Sequence, residues 1–112
     1  MRTSNRELRE WVYAAESRIH GTGLFAARPI RKGEYIGTYW GPEAKRNGTY
    51  VLWVYEGEDE ASAVGRSGRN LLRYLNHSRD CNTAFDGFDL YALRDIARDE
   101  ELTFDYLESD FD

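Results

Sequence analysis

The lengths of the apolar runs constrain this chain most. Residues 11–15, 23–27, 35–39, 50–55, 83–85, 90–93 and 102–104 are rich in Tyr, Phe, Trp, Val, Ile and Leu, and the longest unbroken apolar run, 50–55, has six residues. Runs of this composition read as strands, and none approaches the roughly 20 apolar residues that a membrane span requires. Turn residues separate them at Gly21-Thr22-Gly23, Arg31-Lys32-Gly33, Trp40-Gly41-Pro42 and Arg46-Asn47-Gly48. Pro29 and Pro42 fall at run ends, where a missing N–H does no harm. Only residues 5–10 and 70–75 are compatible with helix, the second with Asn70 placed to cap its start. Short strands at this spacing predict a mostly β fold of several small sheets rather than a parallel α/β domain. A length of 112 residues supports one domain, 1–112, with a core of its own.

Composition removes several function classes. Cys81 is the only cysteine and His20 and His77 the only histidines, so neither an internal disulfide nor a zinc cluster is expected. Arg2, Arg6, Glu7, Arg9 and Glu10 interrupt the start where a signal peptide would be apolar, which predicts a soluble, intracellular protein. The net charge is −5, from 15 Lys+Arg and 20 Asp+Glu, and it is unevenly spread. Residues 1–33 carry seven basic and three acidic side chains, whereas residues 99–112 carry seven acidic and no basic ones. Glu56, Glu58, Asp59 and Glu60 form a second acidic cluster. This pattern reads either as a solvated surface or as a field that attracts a Lys/Arg-rich partner. Direct nucleic-acid binding is not expected, because no basic stripe is interleaved with aromatics.

Taken singly, the polar motifs have ordinary explanations. Gly21-Thr22-Gly23 is either a simple turn or a place where the backbone approaches a ligand. It is not the dinucleotide fingerprint, since no long helix follows. Arg73-Tyr74-Leu75-Asn76-His77-Ser78 reads as a capped turn or as a polar binding segment. Tyr106 reads as a core tyrosine with its hydroxyl at the surface or as a reactive phenol. Cys81 and His77 do not make a hydrolase, which would also need an orienting group and an oxyanion site.

As an ordered set these segments resemble the SET domain of protein lysine methyltransferases. Residues 17–26 (SRIHGTGLFA) are similar to that family's opening glycine motif, and 34–41 (EYIGTYWG) to the strand after it. Asn70, Arg73, Asn76-His77-Ser78 and Asn82 match the central cofactor motif, and 100–106 (EELTFDY) the closing one. The chain departs from the family at Arg69, often glycine, and at Arg79-Asp80-Cys81-Asn82, where Cys-x-Pro-Asn is usual. With no cysteine-rich segment after Tyr106, it resembles the small stand-alone members known from viruses and bacteria.

The resemblance implies a fold of short sheets with a knot-like crossing near the C-terminus, and transfer of methyl groups from S-adenosylmethionine to a lysine amine. It implies cofactor contacts from Gly21, Thr22, Gly23, Arg73, Asn76, His77 and Tyr106. It places Tyr39, Phe104 and Tyr106 around a channel for the substrate lysine, with Tyr106 as the catalytic residue and no metal. Such a channel has physical work to do: lysine's ordinary pKa is about 10.4, so losing its proton at pH 7.5 costs about 4 kcal/mol. Dry aromatic walls favour the neutral amine and tolerate a methylated ammonium through cation–π attraction. Phe104, two residues before the catalytic tyrosine, implies di- or trimethylation in this family. The expected substrate is a basic protein, possibly a histone tail. The expected location is the cytoplasm of a bacterium, or the nucleus if host histones are the target. An aromatic surface near the C-terminus predicts a homodimer. A silent SET-like module that binds peptides or assembles a complex is the alternative, separable by saturable binding of the labelled cofactor.

Overall fold

The computed structural model describes residues 1–55 and 63–105, and their architecture is three small sheets with two short helices. The acidic cluster at Glu56–Glu60, the catalytic candidate Tyr106 and the aromatic C-terminal surface expected to mediate dimerisation lie outside the described residues. In chain order the elements are α1 (Asn5–Leu8), β1 (Val12–Glu16), β2 (Thr22–Ala26), β3 (Tyr35–Thr38), β4 (Glu43–Ala44) and β5 (Val51–Tyr55). There follow β6 (Ala63–Ser67), a 3₁₀ helix (Leu71–Tyr74), β7 (Asn76–His77), β8 (Thr83–Asp86), β9 (Asp89–Ala92) and β10 (Glu101–Phe104). All seven sequence-predicted strands form, with ends displaced by a residue.

The principal sheet has the order β1-β2-β10-β7. β1, β2 and β10 are antiparallel, with Val12 opposite Ala26 and Leu102 opposite Leu24. The last pair is parallel: Thr103 lies opposite Asn76 and Phe104 opposite His77. β10 is therefore an inner strand, held between residues far earlier in the chain. The other sheets, β3-β9-β8 and β4-β6-β5, are antiparallel throughout. Three strands escape the sequence reading, β4, β6 and β7, because they are two residues long or, in Ala63–Ser67, lack aromatic residues.

Alternation of buried and outward side chains brings Leu8, Val12, Leu24, Ile30, Ile36, Leu72, Leu90, Ile96 and Leu102 into one core, each at most 2% exposed. Burying each such side chain stabilises the fold by about 1.5–3 kcal/mol. Segment 2–8 straps this core from outside. Ser4 and Glu7 form a capping box on α1, and Arg2 C=O accepts from Thr38 N–H at 2.8 Å. Hydrogen bonds from Ser4 and Thr3 hold the Glu7 carboxyl below its ordinary pKa, so the box is intact above the usual carboxylate range and is lost as pH falls.

Asn70 occupies the N-cap position of the 3₁₀ helix, but it makes no side-chain cap bond. Its amide instead donates to Thr3 C=O at 2.9 Å and Thr38 C=O at 2.8 Å, while Asn5 Oδ1 accepts from Leu71 N–H at 2.8 Å. The cap is thus supplied from the N-terminal strap, which corrects the sequence expectation for Asn70.

The turn at Gly41 shows where the packing tolerates least. A Cβ there would run into the Ser67 carbonyl group, a backbone neighbour that cannot swing aside. At Gly48 the nearest atom would be Val51 Cγ2 at 3.7 Å, an ordinary contact. Gly41→Ala is expected to lower Tm by roughly 4–12 °C, corresponding to an overpacking cost of about 1–3 kcal/mol. Gly48→Ala is expected to move it by less than about 3 °C; thermal unfolding followed by circular dichroism compares the two.

Candidate functional site

The link between β1 and β2 is organised by Ser17. Its N–H donates to Gly21 C=O at 2.8 Å, and its Oγ accepts from Ile19 N–H at 2.9 Å. The hydroxyl hydrogen is held by the Glu101 carboxylate, with both oxygens at 2.8 Å. These bonds curl the chain so that Gly21 takes φ +44°, which favours glycine, and a Cβ there would point into open space. The 3₁₀ helix and β7 face this turn across a cleft of about 290 Å³. His20, Gly21 and Thr22 line it from the turn, Arg73 to Asn76 from the opposite side, and Thr49 and Tyr50 from the segment before β5.

Four of the sequence-predicted cofactor residues therefore meet in one place: Gly21, Thr22, Arg73 and Asn76. Arg73 stacks its guanidinium 4.4 Å from the Tyr74 ring centroid and donates to Tyr74 Oη at 2.7 Å and Asn70 C=O at 3.0 Å. Asn76 is 8% exposed, and its amide N–H groups reach Ser17 Oγ at 3.1 Å, His20 C=O at 3.0 Å and Glu101 Oε2 at 3.0 Å. Its carbonyl oxygen is the polar atom which that network leaves over.

Gly23 and His77 are placed differently. Gly23 is buried in β2 and does not line the cleft; a Cβ there would sit 2.5 Å from Glu101 Oε2 and 2.9 Å from Ser17 Cβ. Its missing side chain makes room for the Ser17–Glu101 contact rather than for a ligand. His77 lies beyond the described lining of the cleft, paired through its backbone with Phe104, with Nδ1 3.8 Å from Asp105 Oδ1.

The two described channel candidates, Tyr39 and Phe104, are both fully buried. Phe85 joins them edge-on, its ring centroid 5.9 Å from that of Tyr39 and 5.4 Å from that of Phe104. Tyr39 donates its hydroxyl to Tyr50 C=O, and its ring lies where a Cβ on Gly68 would fall. Arg66 donates to Tyr39 C=O at 3.1 Å from between Trp40 and Phe88, 4.4 and 4.0 Å from the ring centroids. Burial in that sandwich pushes its pKa below the usual arginine value.

Sequence reasoning missed His20, Thr49, Tyr50, Tyr74 and Leu75 as lining residues. Tyr50 reads as the start of a strand, but its φ is +68° and its side chain is 38% exposed beside the cleft. Its carbonyl accepts from Gly68 N–H and Tyr39 Oη, so contacts remote in sequence hold it in this conformation.

The SET domain profile matches residues 21–107. The histone-lysine N-methyltransferase trr of Drosophila melanogaster is 36% identical over 123 aligned positions, which cover 90% of this chain and 5% of the relative. The H3 lysine-4 specific histone-lysine N-methyltransferase of Neurospora crassa is 30% identical over 115 positions, covering 85% of this chain and 9% of the relative. The chain thus spans under a tenth of the length of these curated relatives. Among solved structures, autoinhibited ctPRC2 bound to S-adenosylmethionine superposes with a TM-score of 0.73 at 25% identity, over 89% of this chain and 15% of that one. The methyltransferase domain of human PR domain-containing protein 2 gives 0.67 at 26% identity, over 88% of this chain and 78% of that one. A profile match over most of the sequence, joined to this arrangement of sheets, means that the chain belongs to the SET domain family.

Proposed function

We propose that this chain is an S-adenosylmethionine-dependent protein-lysine N-methyltransferase that acts on a basic segment of a protein, such as a histone tail. The observation that carries the reading is the parallel β7–β10 pair. It sets Asn76, where the segment that lines the cleft ends, directly beside the strand that leads into Tyr106. The relatives named as histone-lysine N-methyltransferases and the cofactor-bound ctPRC2 structure support the same chemistry.

The cleft suits the cofactor on its own terms. Gly21 leaves open space where any other residue would project, Arg73 supplies cationic donors, and the Asn76 carbonyl oxygen can accept from an ammonium. When bound, S-adenosylmethionine supplies a methyl group on a sulfonium, and its transfer to the amine nitrogen leaves a neutral thioether. The protein's own contribution is positioning in a dry site. Gly21, Thr22, Arg73 and Asn76 hold the donor, while Tyr39, Phe85 and Phe104 form an apolar interior that disfavours a charged lysine. Tyr106 orients the amine through its hydroxyl and needs to take no proton.

Phe104 lacks the hydroxyl that would hold a water and crowd a methylated amine, so the reading extends to di- or trimethylation. The acidic residues at 99–112 favour a Lys/Arg-rich peptide over an acidic one. Several of them are also engaged within the chain: Glu100 accepts from Asn82, and Asp99 from Tyr13. A homodimer that covers aromatic surface near the C-terminus completes the proposal.

Incubating a mixed pool of basic proteins with labelled S-adenosylmethionine is expected to transfer label to lysine. Tyr106→Phe is expected to cut turnover by about a hundredfold or more while leaving cofactor affinity within about threefold. Turnover that survives this change refutes the role given to Tyr106, and a protein that never binds the donor saturably refutes the reading as a whole. In mass spectra the wild type is expected to yield di- or trimethyl-lysine, with Phe104→Tyr shifting the product toward monomethyl. Monomethyl-lysine alone from the wild type is the contrary result.

A further inference from the structure

Glu101 carries a role that neither its place in a strand nor its charge explains. Its carboxylate is half-buried at the junction of the β1–β2 turn, β2, β7 and β10. It accepts the Ser17 hydroxyl and one Asn76 amide hydrogen, and the missing Cβ of Gly23 leaves the space it occupies. Resting on the functional reading above, we infer that Glu101 is the positioning residue of the cofactor cleft. It sets the turn that carries Gly21 and the orientation of the Asn76 amide on the wall of the cleft. It touches neither ligand nor reacting atoms.

The polarity of the network requires an acceptor at this point. Asn76 Nδ2 has two hydrogens and faces three acceptors, Ser17 Oγ, His20 C=O and Glu101 Oε2. Ser17 Oγ has two lone pairs and faces three donors, Ile19 N–H, the Asn76 amide and, at 3.4 Å, His20 N–H, so its single hydrogen must go outward to Glu101. Both groups that point at position 101 are thus donors, and a carboxylate is the side chain that presents acceptors on both oxygens. Glutamine would turn an NH₂ toward one of them, and Ser17, whose lone pairs already face three donors, could not accept a fourth hydrogen. The network would then have to release either the turn or Asn76. An Asn76 released from Glu101 would no longer hold its amide in one orientation on the cleft wall.

The test uses the full chain in four forms: wild type, Glu101→Gln, Ser17→Ala and Ser17→Thr. Two readouts are taken, hydrogen exchange of the Asn76 side-chain amide by NMR without ligand, and the Kd for S-adenosylmethionine by calorimetry. Wild type and Ser17→Thr, which keeps the hydroxyl, are expected to show a slowly exchanging Asn76 amide. Glu101→Gln and Ser17→Ala are expected to exchange it at least about tenfold faster and to raise Kd by about tenfold or more, as loss of a hydrogen bond to a charged group predicts. Asn76 protection and Kd both at wild-type values in Glu101→Gln would overturn the inference. If that variant does not fold, the same result in Ser17→Ala would do so. If the wild type shows no affinity for S-adenosylmethionine, the functional reading fails instead, and the exchange data alone decide whether Glu101 holds Asn76.

Discussion

Strands of two to five residues leave a fold with many ends, and each end exposes backbone groups that must find partners. In this domain buried asparagines supply them. Asn70 bridges the carbonyl groups of Thr3 and Thr38, tying the N-terminal strap to β3. Asn82, 2% exposed, donates to Glu101 C=O at 2.8 Å and accepts from Thr103 N–H at 2.9 Å, so its amide acts as a strand neighbour for β10. Asn76 performs the same service for the β1–β2 turn. Each replaces a stretch of sheet ladder, and leaving such groups unpaired would cost about 1–3 kcal/mol apiece. The cleft exists because these side chains hold three separate segments at fixed spacing.

That arrangement also explains what the sequence discloses. The seven predicted strands were legible because aromatic and β-branched density is a local property. β7 has no such density; Asn76-His77 is a strand solely because β10 lies beside it. Asn70 has the composition of a helix cap, yet carbonyl groups from two distant segments fix its NH₂, and its Oδ1 makes no bond to the local N–H. Local propensity cannot anticipate an acceptor that arrives from 67 residues away.

The site was legible to a similar depth. Ordered motifs mark Gly21, Thr22, Arg73 and Asn76, and the fold brings these four to one cleft. The motif alone could not say which glycine serves the cleft and which serves packing. Gly21 has open space before it, whereas Gly23 faces Glu101, and that distinction needs the far strand in place. Tyr50 was hidden for a related reason, since its left-handed backbone is held by Tyr39 and Gly68 rather than by its neighbours.

The central position of β10 bears on how the chain acquires its structure. The principal sheet cannot close until residues 101–104 slot between β2 and Asn76-His77, two segments synthesised well before them. During synthesis the residues before β10 must wait with an open seam where that strand will lie. Such non-local closure slows folding and exposes strand edges to other chains. Closure of this sheet is therefore governed by residues 101–104, and a nascent chain that has not yet reached them would be the species most in need of a chaperone.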